Sequence, residues 1–204
     1  MELAFLAGLA HQNIVRVLDV FVHLVPTLVL EHAGESLKEC IQRGPMSISS
    51  CAPLLRQVFA GLHYLAAVLV IHGDLKPANI GVDSTGAVRL LDFGRSIVSM
   101  AGFRSDHSQK EIKREGLLYC TLWYRAPEIL CGDDNFSFPV DVWSAGCIWA
   151  ETLTGKALFE DERSQAGLLL RIIRTMGSPR ASAASTLLLC RFGVRSSRPF
   201  QTVL

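Results

Sequence analysis

The chain has 204 residues, 50% of them hydrophobic and 19% charged, with a formal net charge of +1, which allows one domain with a substantial core. Near-neutral charge without a dense basic stripe excludes nucleic acid as a primary partner, and the apolar run 65–71 is far too short to cross a bilayer, so no membrane partner is expected. The 6 cysteines show no C-x-x-C spacing and lie among apolar residues, the pattern of buried reduced thiols in cytosol or nucleus.

Met1 is followed by neither a basic segment nor a cleavage site, so no signal peptide is expected. Residues 15–21 and 27–31 read as a strand pair, which on its own is marginal in water. A short helix fits residues 36–43, between Gly34 and Gly44. Leu54, Leu55, Val58, Phe59, Leu62 and Leu65 then fall at helical spacing behind a Ser47 or Ser49 cap, predicting a buried core helix beneath the loop that follows it. Residues 81–83 and 87–91 alternate as two strands about a Ser84-Thr85-Gly86 turn. Within the long segment 95–120, the mixed-sign run 110–115 reads as a solvated face. Pro139 opens a helix reaching about Thr154. Beyond Pro179 the composition shifts, through residues 180–190 and a Ser/Arg-rich run to Leu204, to that of a flexible tail or an out-of-frame reading.

Chemistry concentrates in Ile71-His72-Gly73-Asp74-Leu75-Lys76-Pro77-Ala78-Asn79, followed by Asp92-Phe93-Gly94. Moving a γ-phosphoryl group needs a carboxylate beside an acceptor hydroxyl and hard oxygen ligands that hold Mg²⁺ against the phosphates. Asp74 supplies the first and Asn79 with Asp92 the second, while Lys76 adds a cation that offsets charge on the moving group. The hairpin at 81–91 starts just after Asn79 and ends just before Asp92, so it is expected to bring both metal ligands to one ion.

These motifs match, in order and spacing, the catalytic loop and Asp-Phe-Gly of eukaryotic protein kinases, which the chain resembles over roughly residues 2 to 179. Thr121-Leu122-Trp123-Tyr124-Arg125-Ala126-Pro127-Glu128 and Asp141-Val142-Trp143-Ser144-Ala145-Gly146-Cys147 match the next two landmarks. The wording of 121–128 and of 168–179 resembles a cyclin-dependent kinase. The resemblance implies an α+β, protein-kinase-like fold with a partial small lobe, made of the αC helix and a strand pair, and a mostly helical large lobe. Residues 1–33 would be the small-lobe remnant with the hinge, 34–179 the large lobe and 180–204 a divergent tail.

Site roles follow by resemblance. Glu31 and Ala33 fall where the hinge offers backbone groups to the adenine of ATP, with Leu30 behind them. Glu2 takes the position of the αC glutamate that holds a phosphate-gripping strand lysine. Since the chain opens one residue earlier, that lysine and the glycine-rich loop are expected to be absent from these 204 residues and turnover to be slow. Thr121 would bridge Asp74 and Lys76. Arg125 and the backbone near Cys120 resemble the surface that favours proline after the acceptor. Leu6, Val17, His72 and Phe93 would stack above Asp141, though each is equally a core residue, and a buried, hydrogen-bonded His72 is expected. Glu128 would lack the late arginine that it pairs with in the family.

The three arginines that grip an activating phosphothreonine are replaced by Met1, Gly73 and Ile97, and the acceptor by Gly116, so that switch is expected to be absent. Three functions stay open. One is a protein serine/threonine kinase using ATP and Mg²⁺, with the proline-directed protein substrates that the resemblance implies. The second is a pseudokinase-like module for a cyclin-type partner, and the third a nonfunctional fragment.

Overall fold

The structure is a computed structural model that describes residues 8–22, 26–98, 121–133 and 137–177. Its chain order begins with two strands, β1 (Val17–Val22) and β2 (Pro26–Leu30), paired antiparallel from Val17 opposite Leu30 to Val22 opposite Pro26, with an irregularity between Val17 and Asp19. The expected strand pair is present but starts two residues late, because residues 13–15 are used elsewhere. Ile14 makes a parallel bridge to Leu90, the Val15 amide donates to the Leu90 carbonyl at 3.0 Å, and the Leu90 amide donates to Asn13 at 2.9 Å. The hairpin is therefore tied to the rest of the fold.

β3 (Glu35–Ser36) leads into α1 (Leu37–Gln42). Ser36 and Glu39 form a reciprocal cap, the hydroxyl accepting the Glu39 amide at 3.3 Å and the Glu39 carboxylate accepting the Ser36 amide at 2.7 Å, which satisfies two amides that a helix start leaves unpaired. α2 (Ile48–Ala67) begins at Ser47, whose hydroxyl accepts the Ser50 amide. Leu55, Val58, Leu62 and Leu65 form its buried stripe, joined by Cys51 and Gly61. Phe59, expected in the core, instead lies at the flank of that stripe, 38% exposed. One helical step of about 100° from Val58 turns its ring away from the neighbours that cover the stripe.

β4 (Val70–Ile71) follows, and after a loop and a 3-10 turn at Pro77–Asn79 come β5 (Ile80–Val82) and β6 (Val88–Leu90). The order β3-β5-β6 makes a three-stranded antiparallel sheet, while β4 pairs with β7 (Ile97–Val98). Neither two-residue strand of that last pair was legible as an element. Gln57 of α2 latches the β5–β6 turn: its amide nitrogen donates to the Gly86 carbonyl at 2.8 Å, and its oxygen accepts the Val88 amide at 3.0 Å and the Asn13 side-chain amide at 3.2 Å.

The single-turn α3 (Pro127–Leu130), α4 (Pro139–Thr154) and α5 (Gln165–Met176) complete the described chain. Pro139 stands at the start of α4 and the helix runs to Thr154, as the sequence predicts; Gly155, at φ +74°, ends it. α5 was not read as an element; Ser164 caps it and Leu168, Leu169 and Ile172 bury its inner face. α2 packs against α4 and β6, and a main core runs from Ile14 and Val15 through Val58, Leu62, Ile80, Leu90 and Phe93 to Ile148 and Leu168. A smaller cluster of Ile71, Ile97, Ala126, Ile129 and Val140 lies beside the β4–β7 pair. The organisation is α+β, with short sheets and a helical bulk.

Candidate active site

The loop 72–76 is fixed from one side by α4. Asp141, in the first turn of that helix, accepts the amides of His72 at 2.8 Å and Gly73 at 3.0 Å. Burial pushes the Asp141 carboxyl above the ordinary carboxylate range, while nearby His72 and the two amides favour the anion. Gly73 sits at φ +80°, a conformation open to glycine at no steric cost. His72 is fully buried. Its Nε2 lies 2.9 Å from the Leu91 carbonyl and its Nδ1 accepts the Asp74 amide at 3.3 Å, partners that assign the Nε2–H tautomer. The ring leans on Phe93 with centroids 4.9 Å apart. Both ring nitrogens are thus engaged, and the expected buried, satisfied imidazole is what the fold contains.

Around Asp74 the contacts close a ring. One carboxylate oxygen accepts the Thr121 amide at 3.0 Å and its hydroxyl at 3.2 Å; the other accepts the Lys76 ammonium at 2.7 Å, and Lys76 reaches back to the Thr121 hydroxyl at 3.2 Å. Asp74 has a side chain only 5% exposed and Lys76 one 25% exposed, so the pair is shielded on the protein side and open on the other. Such charge-assisted contacts in a shielded site hold a side chain in one orientation.

The metal-ligand candidates meet as the hairpin geometry requires. Asn79 is buried; its side-chain nitrogen donates to the Asp74 carbonyl at 2.9 Å and lies 3.4 Å from an Asp92 carboxylate oxygen. The Leu91 amide donates to the Asn79 carbonyl at 2.9 Å, which registers the two ends of the β5–β6 hairpin. Asp92 adopts φ +60°, a costly conformation for a residue with a β-carbon. Its exposed carboxylate also accepts the Gly94 amide at 3.3 Å. With the Asn79 nitrogen spent on protein partners, its amide oxygen and the Asp92 carboxylate are the hard donors at this spot. That set suits Mg²⁺, which binds through one or two such groups with substrate phosphates and water completing its shell. No group of three or more His, Cys, Asp or Glu suited to a metal occurs among the described residues.

Glu31 and Ala33 lie apart from this ring. The Glu31 carboxylate accepts the Arg16 amide at 2.9 Å and pairs with Arg89 at 3.2 Å, while its own amide donates to the Arg16 carbonyl at 2.9 Å. Ala33 is buried against Gly81, where an added β-carbon would stand 2.5 Å from the Ala33 carbonyl oxygen. Arg125 is largely buried. It is 7% exposed and lines a pocket with Gly73, Asp74, Thr121 and Asp141, so its side chain lies against the loop that carries Asp74. Ile97 is buried in β7. Among the described residues Glu128 makes no ion pair, and burial raises its carboxyl. Glu2, Met1, Leu6, Gly116 and Cys120 lie outside the described residues.

Sequence reasoning missed Arg95, whose Nε lies 3.9 Å from the Asp74 carboxylate. The available signal was a cation directly after Asp92-Phe93-Gly94. A family model described as the protein kinase domain matches residues 1–186.

Proposed function

The chain belongs to the protein kinase domain family, and on that premise we propose a serine/threonine kinase of cyclin-dependent type that passes the γ-phosphoryl group of ATP to a protein Ser or Thr followed by Pro. The observation that carries this reading is the ring of Asp74, Lys76 and Thr121 beside the Asn79–Asp92 pair.

An acceptor hydroxyl donating to Asp74 is oriented for in-line attack, and Asp74 takes its proton as the bond to phosphorus forms. The Thr121 amide and hydroxyl hold one Asp74 oxygen, and Lys76 holds the other, so the carboxylate meets the acceptor already aligned. Lys76, open to the cleft side, offsets negative charge on the moving phosphoryl. Asn79 and Asp92 would hold Mg²⁺, which when bound neutralises the phosphates.

The cyclin-dependent and proline-directed parts rest on the wording of residues 121–128 and 168–179. A cyclin-type subunit would dock on the segment that includes Glu2, and the backbone at Glu31 and Ala33 would meet adenine. The test is label transfer from ATP and Mg²⁺ to a Ser-Pro peptide by the purified full chain. Asp74→Asn and Asp92→Asn are each expected to lower transfer at least about a hundredfold, and equal transfer by wild type and Asp74→Asn would sink the assignment.

A further inference from the structure

We infer that Ser96 is a positioning residue for phosphoryl transfer: its hydroxyl fixes the peptide that precedes Asp74 and so sets how the Asp74 carboxylate meets the acceptor hydroxyl. The inference deepens the reading above and rests on Asp74 as the group that takes the acceptor's proton.

The His72–Gly73 peptide is gripped at both of its polar ends. Its N–H, that of Gly73, donates to Asp141 at 3.0 Å, and its carbonyl, that of His72, accepts the Ser96 hydroxyl at 3.1 Å. The two partners come from distant parts of the chain, Asp141 from the first turn of α4 and Ser96 from the residue before β7. Local backbone preference does not orient this peptide. Gly73 sits at φ +80°, and glycine populates positive φ about as readily as negative, so the plane is set by what its two ends bond.

Ser96 is itself held firmly. Its amide donates to the Phe93 carbonyl at 3.0 Å, and the next residue, Ile97, pairs with Ile71 in the β4–β7 ladder, which lays the start of β7 beside the residue before His72. Ser96 is 2% exposed and His72 0%, so water is a poor substitute for the hydroxyl, and a buried carbonyl that loses its donor is costly. Without the hydroxyl the peptide keeps its Asp141 end and pivots about it.

Asp74 follows directly on Gly73. The contact of its amide with His72 Nδ1, at 3.3 Å, is long and resists such a pivot weakly. Its carboxylate stays tethered by Thr121 and Lys76, so a moving backbone turns the carboxylate within that tether. Ser96 bonds neither Asn79 nor Asp92, which puts the cost on alignment of the reacting groups and leaves binding of the nucleotide and its metal largely intact.

The experiment uses the full chain as wild type, Ser96→Ala and Ser96→Thr. Steady-state phosphorylation of the Ser-Pro peptide is combined with ¹⁵N relaxation dispersion at the Gly73 and Asp74 amides, which reads microsecond-to-millisecond motion, and with circular dichroism for folding. Ser96→Ala is expected to lower kcat about tenfold, to keep KM for ATP and for peptide within about twofold, and to show exchange at Gly73 that wild type lacks. Ser96→Thr, which keeps the donor, is expected to recover most of the loss and to show no exchange; if it does not fold, kcat and exchange in Ser96→Ala decide. Wild-type kcat in Ser96→Ala, or no exchange at Gly73, would overturn the inference. A folded Ser96→Thr as slow as Ser96→Ala would do the same, since the hydroxyl would then not be the cause. Absence of transfer by wild type would refute the kinase reading, while the exchange at Gly73 would still decide whether Ser96 fixes the peptide.

Discussion

Thr121→Val removes one hydroxyl from the centre of the ring at little change in volume. The Thr121 amide still reaches Asp74 at 3.0 Å, so one Asp74 oxygen keeps one of its two donors. The contact of the hydroxyl with that oxygen at 3.2 Å is lost, and Lys76 loses an acceptor at 3.2 Å, keeping only Asp74 at 2.7 Å. Asp74 is 5% exposed at its side chain, so water is a poor substitute on the protein side. A hydrogen bond to a charged group contributes about 1.5–3 kcal/mol, and each 1.36 kcal/mol is tenfold in rate. The expected outcome is a fall in kcat of about 10- to 100-fold, with a smaller effect on KM for ATP because the hydroxyl bonds neither Asn79 nor Asp92, the proposed metal ligands. Thr121→Ser is expected to restore most of it. The assay is steady-state phosphorylation of the Ser-Pro peptide, with circular dichroism to show that the fold is intact. A Thr121→Val protein with wild-type kcat would refute the view that this ring aligns Asp74.

Glu151 accepts the Tyr124 hydroxyl at 2.6 Å, and burial holds its carboxyl above the ordinary range while that hydroxyl opposes the shift. Because the folded pKa is raised, the native state keeps a proton that the unfolded chain releases, so stability is full below about 4.5 and falls as pH rises through the folded value. Urea unfolding across pH should show this slope in wild type and its loss in Glu151→Gln, whereas Glu151→Ala should cost about 1–3 kcal/mol by stranding the Tyr124 hydroxyl. Leu69 holds φ +60° just past α2 with 46% of its surface exposed; Leu69→Gly should therefore stabilise by about 1 kcal/mol in the same assay, and a loss of stability would contradict the strain. Gly81→Ala would press a β-carbon onto the Ala33 backbone, so it should cost about 1–3 kcal/mol and weaken nucleotide affinity in a thermal-shift titration. Chelation by EDTA should abolish the shift that ATP and Mg²⁺ induce, and Asp92→Asn should reproduce that loss without the chelator.

Elements with their own local code were legible. α2 announces itself through Ser47 and the Leu55, Val58, Leu62, Leu65 stripe, and α4 through Pro139. The β5–β6 hairpin was visible because a turn joins its strands, and its ends placed Asn79 beside Asp92. What escaped was decided by partners distant in sequence. β4 and β7 have two residues each, too few to display a period, and they exist because Ile71 and Ile97 meet across 26 positions of chain. Val15, read as the start of the first strand, is instead captured by Leu90. Arg125 carries a charge that suggests surface, yet the fold closes over it. Phe59 belongs to the helical pattern but finds no neighbour deep enough to cover it, since what faces a helix flank is set by tertiary packing.

The small strand pair is mechanically linked to the metal-ligand side of the site. Arg89 of β6 pairs with Glu31 at 3.2 Å, and it also reaches Asp83 in the β5–β6 turn at 3.2 Å. Leu90, the next residue, exchanges backbone hydrogen bonds with Asn13 and Val15, and Leu91 bonds both Asn79 and His72. Asp92 follows at once, in a strained conformation that only firm anchoring on both sides sustains. A shift of the β1–β2 hairpin must therefore pull on β6 and alter the Asn79–Asp92 separation of 3.4 Å. Because Asn79 also holds the Asp74 carbonyl, the same displacement reaches the acceptor carboxylate through one side chain. On the proposed kinase reading, a ligand beside Glu31 and Ala33 is expected to be coupled to Asp74, Asn79 and Asp92 through these packed strands.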